Sequence, residues 1–320
     1  MSAETPFRQE LFKRRSWQSV WENLIENSLL ACALLSVFTT AAIVFILFNE
    51  SIYSVTGDRA FLQNYSLWSF LSGTGCEWQH YDNHFGLLPL LTSTIRVTLI
   101  GSCLSIPLGL TSAVYLSEYA SPKARRILKP TLELLSGIPS IVLGFFALTF
   151  ITPILIQPFF ALFGIEVGAY NALAAGIAVG LMTVPIVASL SEDAIRAVPQ
   201  ALREAGYALG STKFDVSVKI VIPAAFSGIV AACLLAISRA IGETMAVTLA
   251  GGLRSDVTLN PLKECYTMTA YIAGLGASDV EAGGMETKSL YMVGLALFLL
   301  TLTMNILSQW VMRRYRETYQ

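Results

Sequence analysis

Hydrophobic positions along this chain do not alternate with polar ones; they run on in blocks of twenty or more residues separated by polar segments. A helix needs about 20 apolar residues to cross roughly 30 Å of hydrocarbon, and six blocks reach that length. Ser28 to Phe48 holds no charged side chain, Gly86 to Ser117 is interrupted only by Arg96, and the third runs from Leu134 to about Pro158. Ala169 to Ser191 is the fourth, Ala224 to about Leu249 the fifth with Arg239 and Glu243 inside it, and Leu290 to Val311 the sixth. Continuous blocks of this length argue against a β-barrel, whose strands alternate over about ten residues. The pattern predicts an all-α membrane protein with six transmembrane helices. Its parts are an N-terminal segment (1–27), a first helix (28–48), an outer segment (49–85), a five-helix core (86–311) and a tail (312–320). The core encloses an inner loop (192–223) and a second outer segment (251–289).

Composition supports lipid as the solvent. Hydrophobic residues make up 54% and charged residues only 13%, against roughly 25% charged in a soluble domain. Disorder is excluded by the same scarcity of charge, and a net charge of -1 gives no support to nucleic-acid binding. The 21 basic residues are unevenly placed: 15 fall in 1–27, 118–133, 192–223 and 312–320. Arg59, Arg254, Lys263 and Lys288 fall in the intervening segments, and Arg96 and Arg239 in the apolar blocks. By the positive-inside rule this predicts cytoplasmic N- and C-termini in a bacterial inner membrane. The first block is long for a signal peptide and Phe48-Asn49-Glu50 lacks a small-residue cleavage pattern, so it reads as an uncleaved anchor. Ahead of it Trp17, Val20, Trp21, Leu24 and Ile25 recur at helical spacing, which fits either a surface-lying amphipathic helix or the start of the first crossing.

Cys32, Cys103 and Cys233 lie in apolar blocks as small hydrophobes. Cys76 and Cys265 lie in the two outer segments, where an oxidising space permits a disulfide for which the sequence offers no geometric support. His80 and His84 are spaced like half a metal site, but Tyr81 stands where a zinc protease needs its Glu, so a solvated loop is expected and no metal. No nucleophile elbow and no phosphate-binding loop appears, so the chain is read as neither a hydrolase nor an ATPase.

The 192–223 loop carries the next step. Pro199 to Leu209 is helix-permissive and amphipathic, Gly210 supplies a helix stop by permitting positive φ, and Pro223 suits a first helical turn. Glu204-Ala205-Gly206, three residues, Gly210, nine residues, then Ile220-Val221-Ile222-Pro223 resembles the EAA loop of ABC importer permeases. The departures are Gly206 for the second Ala of that pattern and Ile222 for its Leu. The resemblance implies a coupling helix that docks on an ATP-binding subunit. Because the chain has one such loop and those ATPases work as pairs, a second permease is also implied.

Arg239 and Glu243 stand at i, i+4 in an apolar block, where a charge costs about 2.5 to 3.5 kcal/mol at helix centre. They are read as sharing one helix face, either as an internal salt bridge or as an anion site. In the second reading the planar, permanently charged Arg239 fork grips an oxyanion and Glu243 holds it when the site is empty. Arg96 is either a pathway residue or a snorkelling side chain at the outer mouth. Glu133 is expected at the inner end of the third helix, and Pro107, Pro139 and Pro185 inside crossings.

Arg239-Ala240-Ile241-Gly242-Glu243-Thr244-Met245-Ala246-Val247 looks like the fifth-helix motif of phosphate transporter permeases of the PstC type. Phe85 to Leu91, Leu116-Ser117-Glu118-Tyr119, Gly137-Ile138-Pro139-Ser140, Gly144 to Leu148, Ser189 to Asp193 and Thr267-Met268-Thr269-Ala270 agree with it. The similarity runs from about Trp68 to the C-terminus. It implies a type I ABC importer permease fold and phosphate import by alternating access, without catalysis in this chain. It also implies a PstA-type heterodimer partner, two PstB-type ATPases holding ATP and Mg, a periplasmic PstS-type phosphate-binding protein, and no cofactor on the chain itself. Another oxyanion such as phosphonate or sulfate is the alternative within the fold; an intramembrane enzyme or a passive channel is the alternative outside it.

Overall fold

In lipid every backbone N–H and C=O must find its partner within the segment or a neighbour, which is why long apolar blocks become helices. The computed structural model describes residues 6–53, 59–74, 85–254, 256–278 and 283–314, with side chains described from residue 21 to residue 313 of these. Cys76, His80 and His84 lie outside the described residues.

The first crossing is α1 (Pro6–Ser51), one unbroken helix of 46 residues. The Trp17 to Ile25 stretch is therefore the start of that helix and not a separate surface element. Two short helices, α2 (Phe61–Asn64) and α3 (Leu67–Ser72), lead to α4 (Leu87–Val114), which ends in a π-helical turn at Tyr115–Tyr119. Next come α5 (Pro122–Ser136), α6 (Ser140–Phe146), a π-helical stretch Ala147–Ile156, and α7 (Gln157–Ala161). After α8 (Ala172–Arg196) the 192–223 loop forms α9 (Gln200–Ala208), α10 (Lys213–Val216), a π-helical turn Ser217–Val221 and α11 (Ile222–Ala224). The chain closes with α12 (Phe226–Ile241), α13 (Met245–Gly251), α14 (Met268–Gly276) and α15 (Met285–Arg314).

Among the described residues five spans are long and apolar enough to cross a membrane: Trp21–Ser51, Leu87–Tyr119, Ser140–Ala161, Ala172–Arg196 and Met285–Arg313. A sixth is a bent pair, Lys213–Ala224 and Phe226–Ile241, meeting at 70°. Two boundaries differ from the sequence pattern. The third block is cut at Gly137-Ile138-Pro139, so the span begins at Ser140, and Glu133 is an exposed residue of α5 instead of the inner end of a long helix. Proline lacks an N–H and disfavours helix at the residue before it, so Pro139 starts a crossing and does not kink one. Pro107 and Pro185 do lie inside α4 and α8. The fifth block is cut at Gly242-Glu243-Thr244, which separates α12 from α13.

The spine is the pair α4 and α8. Their backbones approach closely because the contact is lined with glycine: a Cβ on Gly101 would stand 3.2 Å from the Gly176 carbonyl, and one on Gly180 only 3.0 Å from the Gly101 carbonyl. Without a hydrophobic drive between helices in lipid, such small-residue seams let dispersion hold helices together. Buried side chains form three clusters, and α4 touches all of them. Leu87 and Leu90 join Phe61, Phe70, Tyr266 and Tyr271; Val97 joins Ala147, Ala175 and Val247; Ala113 joins Ile195, Val216 and Val221. By contrast α1 packs along α15 and leaves its apolar residues exposed, as a helix facing lipid does.

Candidate functional site

The break in the fifth crossing is held by a hydrogen bond from a distant part of the chain. Gly242 caps α12 at φ -84 and ψ 0, and the Glu243 carbonyl, which would continue the helical ladder, instead accepts a hydrogen bond from the Thr269 hydroxyl at 2.7 Å. The Glu243 carboxylate turns back to accept from the Ala246 N–H at 3.5 Å, at the start of α13. Arg239 remains in the last turn of α12 and is exposed, whereas Glu243 is half-buried. The i, i+4 geometry expected for this pair is thus lost, because only one member is helical. Among the described residues no carboxylate stands within 4.0 Å of the Arg239 guanidinium.

Thr269 is itself held. Its hydroxyl lies 3.0 Å from that of Thr267, and the Met268 N–H donates to the Thr94 hydroxyl of α4 at 3.1 Å. Two residues further along α4, Arg96 is 3% exposed. Its guanidinium donates to the backbone carbonyls of Thr258 at 3.0 Å, Asn260 at 2.8 Å and Glu264 at 2.8 Å. Arg96 thus neither snorkels at a mouth nor faces an open space; it clamps the 258–264 segment to α4. The same segment is pinned by Ala172 N–H to the Lys263 carbonyl and Leu173 N–H to the Pro261 carbonyl, at 2.9 and 2.8 Å. Beside it Cys265 is fully buried as a free thiol, and burial pushes its pKa up to about 12.

At the other end of the bundle α9 carries Glu204, Ala205 and Gly206. Glu204 and Ala205 are exposed, while Gly206 is buried where a Cβ would meet Ile220 Cδ1 at 2.6 Å. Gly210 has φ +79, the left-handed conformation a residue with a side chain resists, and ends α9 as the spacing predicts. Pro223 lies in α11, just before the 70° bend, and not at the first turn of the long helix. Leu209 and Phe214, just beyond α9, are 86% and 65% exposed.

Two ion-pair clusters here were not singled out by sequence reasoning. Arg203 of α9 is 9% exposed and closes its fork on Glu118 Oε1, at 3.0 Å from Nη2 and 3.3 Å from Nε, while also donating to the Ile195 and Val198 carbonyls. Glu192 of α8 is fully buried and bridges Arg125 at 2.5 Å, Lys129 at 2.6 Å and Arg196 at 3.7 Å. Burial works against the Lys129 charge, but hydrogen bonds to Asp193 and Glu192 outweigh it and hold its pKa above the ordinary lysine value. The sequence signals were the acidic pair Glu192-Asp193 and the lone Glu118, each next to a basic loop and each inside a stretch that agrees with the PstC-type resemblance, but neither told which cations they would meet.

Chemically, the broken crossing offers an unpaired guanidinium on an open face. Its planar fork matches a tetrahedral oxyanion in a bidentate way, and helices interrupted at membrane depth are where transporters build such sites. No cluster of metal-ligating side chains occurs among the described residues.

The family described as "Binding-protein-dependent transport system inner membrane component" matches residues 105–317. The probable ABC transporter permease protein YqgH of Bacillus subtilis is 32% identical over 285 residues, covering 89% of this chain and 88% of that protein. The phosphate transport system permease protein PstC of Xylella fastidiosa (strain 9a5c) is 32% identical over 293 residues, covering 86% and 88%. Among solved structures, a chain of a bacterial alginate ABC transporter in complex with an alginate pentasaccharide-bound periplasmic protein superposes with a TM-score of 0.62 at 13% identity, covering 96% of this chain and all of that one. A chain of the inward-facing MetNI methionine ABC transporter gives 0.52 at 18% identity, covering 72% and 95%. At such identities the structures speak to the fold alone.

Proposed function

The chain belongs to the family of binding-protein-dependent transport system inner membrane components, and we propose that it is the permease subunit through which an ABC importer moves inorganic phosphate across the bacterial inner membrane. The observation that carries this reading is Arg239. It is a permanent charge on the open face of the interrupted fifth crossing, with no carboxylate within 4.0 Å among the described residues, in a chain with relatives named as phosphate transport permeases. Glu243, two residues beyond α12, sets the electrostatic counterweight: its carboxylate keeps a bound anion's affinity low enough for release. Arg96 belongs to the pathway indirectly, as the anchor of the segment that carries Thr267 and Thr269.

The open face implies a second permease, a PstA-type subunit, completing the pathway. Both termini and the 192–223 loop face the cytoplasm in this reading, as the placement of basic residues supports. Glu204, Ala205, Gly206 and Gly210 with Ile220 and Pro223 then form the docking element for one of two PstB-type ATPases, which hold ATP and Mg. A PstS-type protein delivers phosphate to the opposite face, where Arg96 fixes the 258–264 loop. This chain binds, orients and exposes the anion alternately; ATP is hydrolysed on the partners.

The test is uptake into proteoliposomes holding the four-subunit complex, with the loaded binding protein outside and ATP inside. Labelled phosphate should accumulate only with ATP, and excess unlabelled sulfate or phosphonate should not compete. Competition by either anion would move the assignment to that oxyanion, and conductance without ATP would make the chain a channel.

A further inference from the structure

The coupling element reaches the broken crossing by two separate arms. One starts as a packing contact and continues along the chain: Gly206 of α9 seats on Ile220 in the Ser217–Val221 turn, which leads through α11 and the 70° bend into α12 and so to Arg239. The other runs through α4. Arg203 grips Glu118 at one end of that helix; at the other end Arg96 and Thr94 hold the 258–268 segment, whose next residue, Thr269, holds the Glu243 carbonyl. With 28 residues α4 spans about 42 Å, at about 1.5 Å per residue. The two arms end on the two sides of the Gly242 break.

Both arms begin in the same unusual backbone. Glu118 and Ile220 each lie in a π-helical turn, Tyr115–Tyr119 and Ser217–Val221, and both turns touch α9 or its side chains. Such turns are rare, hold one residue more than an α-helical turn, and favour functional positions. Return of the surplus residue to α-helical register would shift the helix beyond it.

We propose that Arg203 and Glu118 are positioning residues for energy coupling. Their ion pair transmits displacement of α9 into α4, and through the outer segment to Glu243, so that docking of the ATPase changes the separation of Arg239 and Glu243. This rests on the permease reading above. The pair is suited to the task because it is buried, 11% and 7% exposed at the side chains, so water screens it little. Arg203 also donates to the Ile195 and Val198 carbonyls, which ties the same joint to the end of α8.

The experiment uses the assembled complex and measures ATP hydrolysis with and without the phosphate-loaded binding protein. Glu118→Gln should leave basal hydrolysis unchanged and lower the stimulated-to-basal ratio by roughly 2- to 30-fold, the range seen when one residue of a coupling network is altered. Glu118→Asp, which keeps the charge, should fall between it and the wild type. A role in stability alone predicts loss of assembled complex with the ratio intact in what remains. A wild-type ratio in assembled Glu118→Gln overturns the proposal; if that variant does not assemble, a wild-type ratio in Glu118→Asp does the same. Absence of phosphate stimulation in the wild-type complex would instead overturn the permease reading.

Discussion

Replacing Arg96 by Met keeps most of the side-chain length and removes its charge and its donors. Three charge-assisted hydrogen bonds to the Thr258, Asn260 and Glu264 carbonyls disappear, and those carbonyls lose a partner in a site where Arg96 is 3% exposed. Each such bond is worth about 1.5 to 3 kcal/mol, but burying the guanidinium costs part of that sum. The net loosening of the segment is therefore about 2 to 4 kcal/mol. Because Ala172 and Leu173 still bind the Lys263 and Pro261 carbonyls, the effect is local opening and not global unfolding. Amide hydrogen exchange in 258–268 should accelerate roughly 30- to 1,000-fold at about 1.4 kcal/mol per tenfold, with α8 and α15 unchanged. Arg96→Lys should fall between, since an ammonium cannot reproduce the planar fork. Unchanged exchange in 258–268 of folded Arg96→Met protein would refute the clamp.

Glu192→Gln removes the carboxylate that joins α5 to α8 through Arg125 and Lys129; a loss of about 2 to 3 kcal/mol should appear as a lower melting temperature of the detergent-solubilised protein. Gly206→Ala should change the melting temperature little, because a gain of up to about 1 kcal/mol in helix propensity offsets moving the tip of Ile220 and easing the Val216 methyl that would lie 3.0 Å from the new Cβ. Gly210→Val, forced to φ +79, should detach the loop geometry and reduce transport-linked ATP hydrolysis. Cys265, buried and with its thiol pushed up to about 12, should resist maleimide at pH 8 in the folded protein and react after denaturation.

The crossings and the α9 loop were legible because they rest on local rules: block length for a span, positive φ for Gly210, fixed spacing for the loop. What sequence could not give was tertiary. Nothing near Arg96 in the chain names its partners, since they are backbone carbonyls more than 160 residues away. The break at Gly242 depends on the Thr269 hydroxyl, 26 residues on, taking the Glu243 carbonyl out of the helix. Glu118 and Arg203 are 85 residues apart and meet only because α9 folds under α4. In each case a long-range polar contact overrode a pattern that reads as continuous helix or as an exposed charge.

The central claim is that phosphate passes the interrupted fifth crossing under the charge of Arg239. It is tested most directly by labelled-phosphate uptake in complexes of wild-type and Arg239→Gln chain, matched for assembly and for basal ATP hydrolysis. The account predicts that the variant assembles, hydrolyses ATP and takes up no phosphate. Wild-type uptake by the Arg239→Gln complex would contradict it.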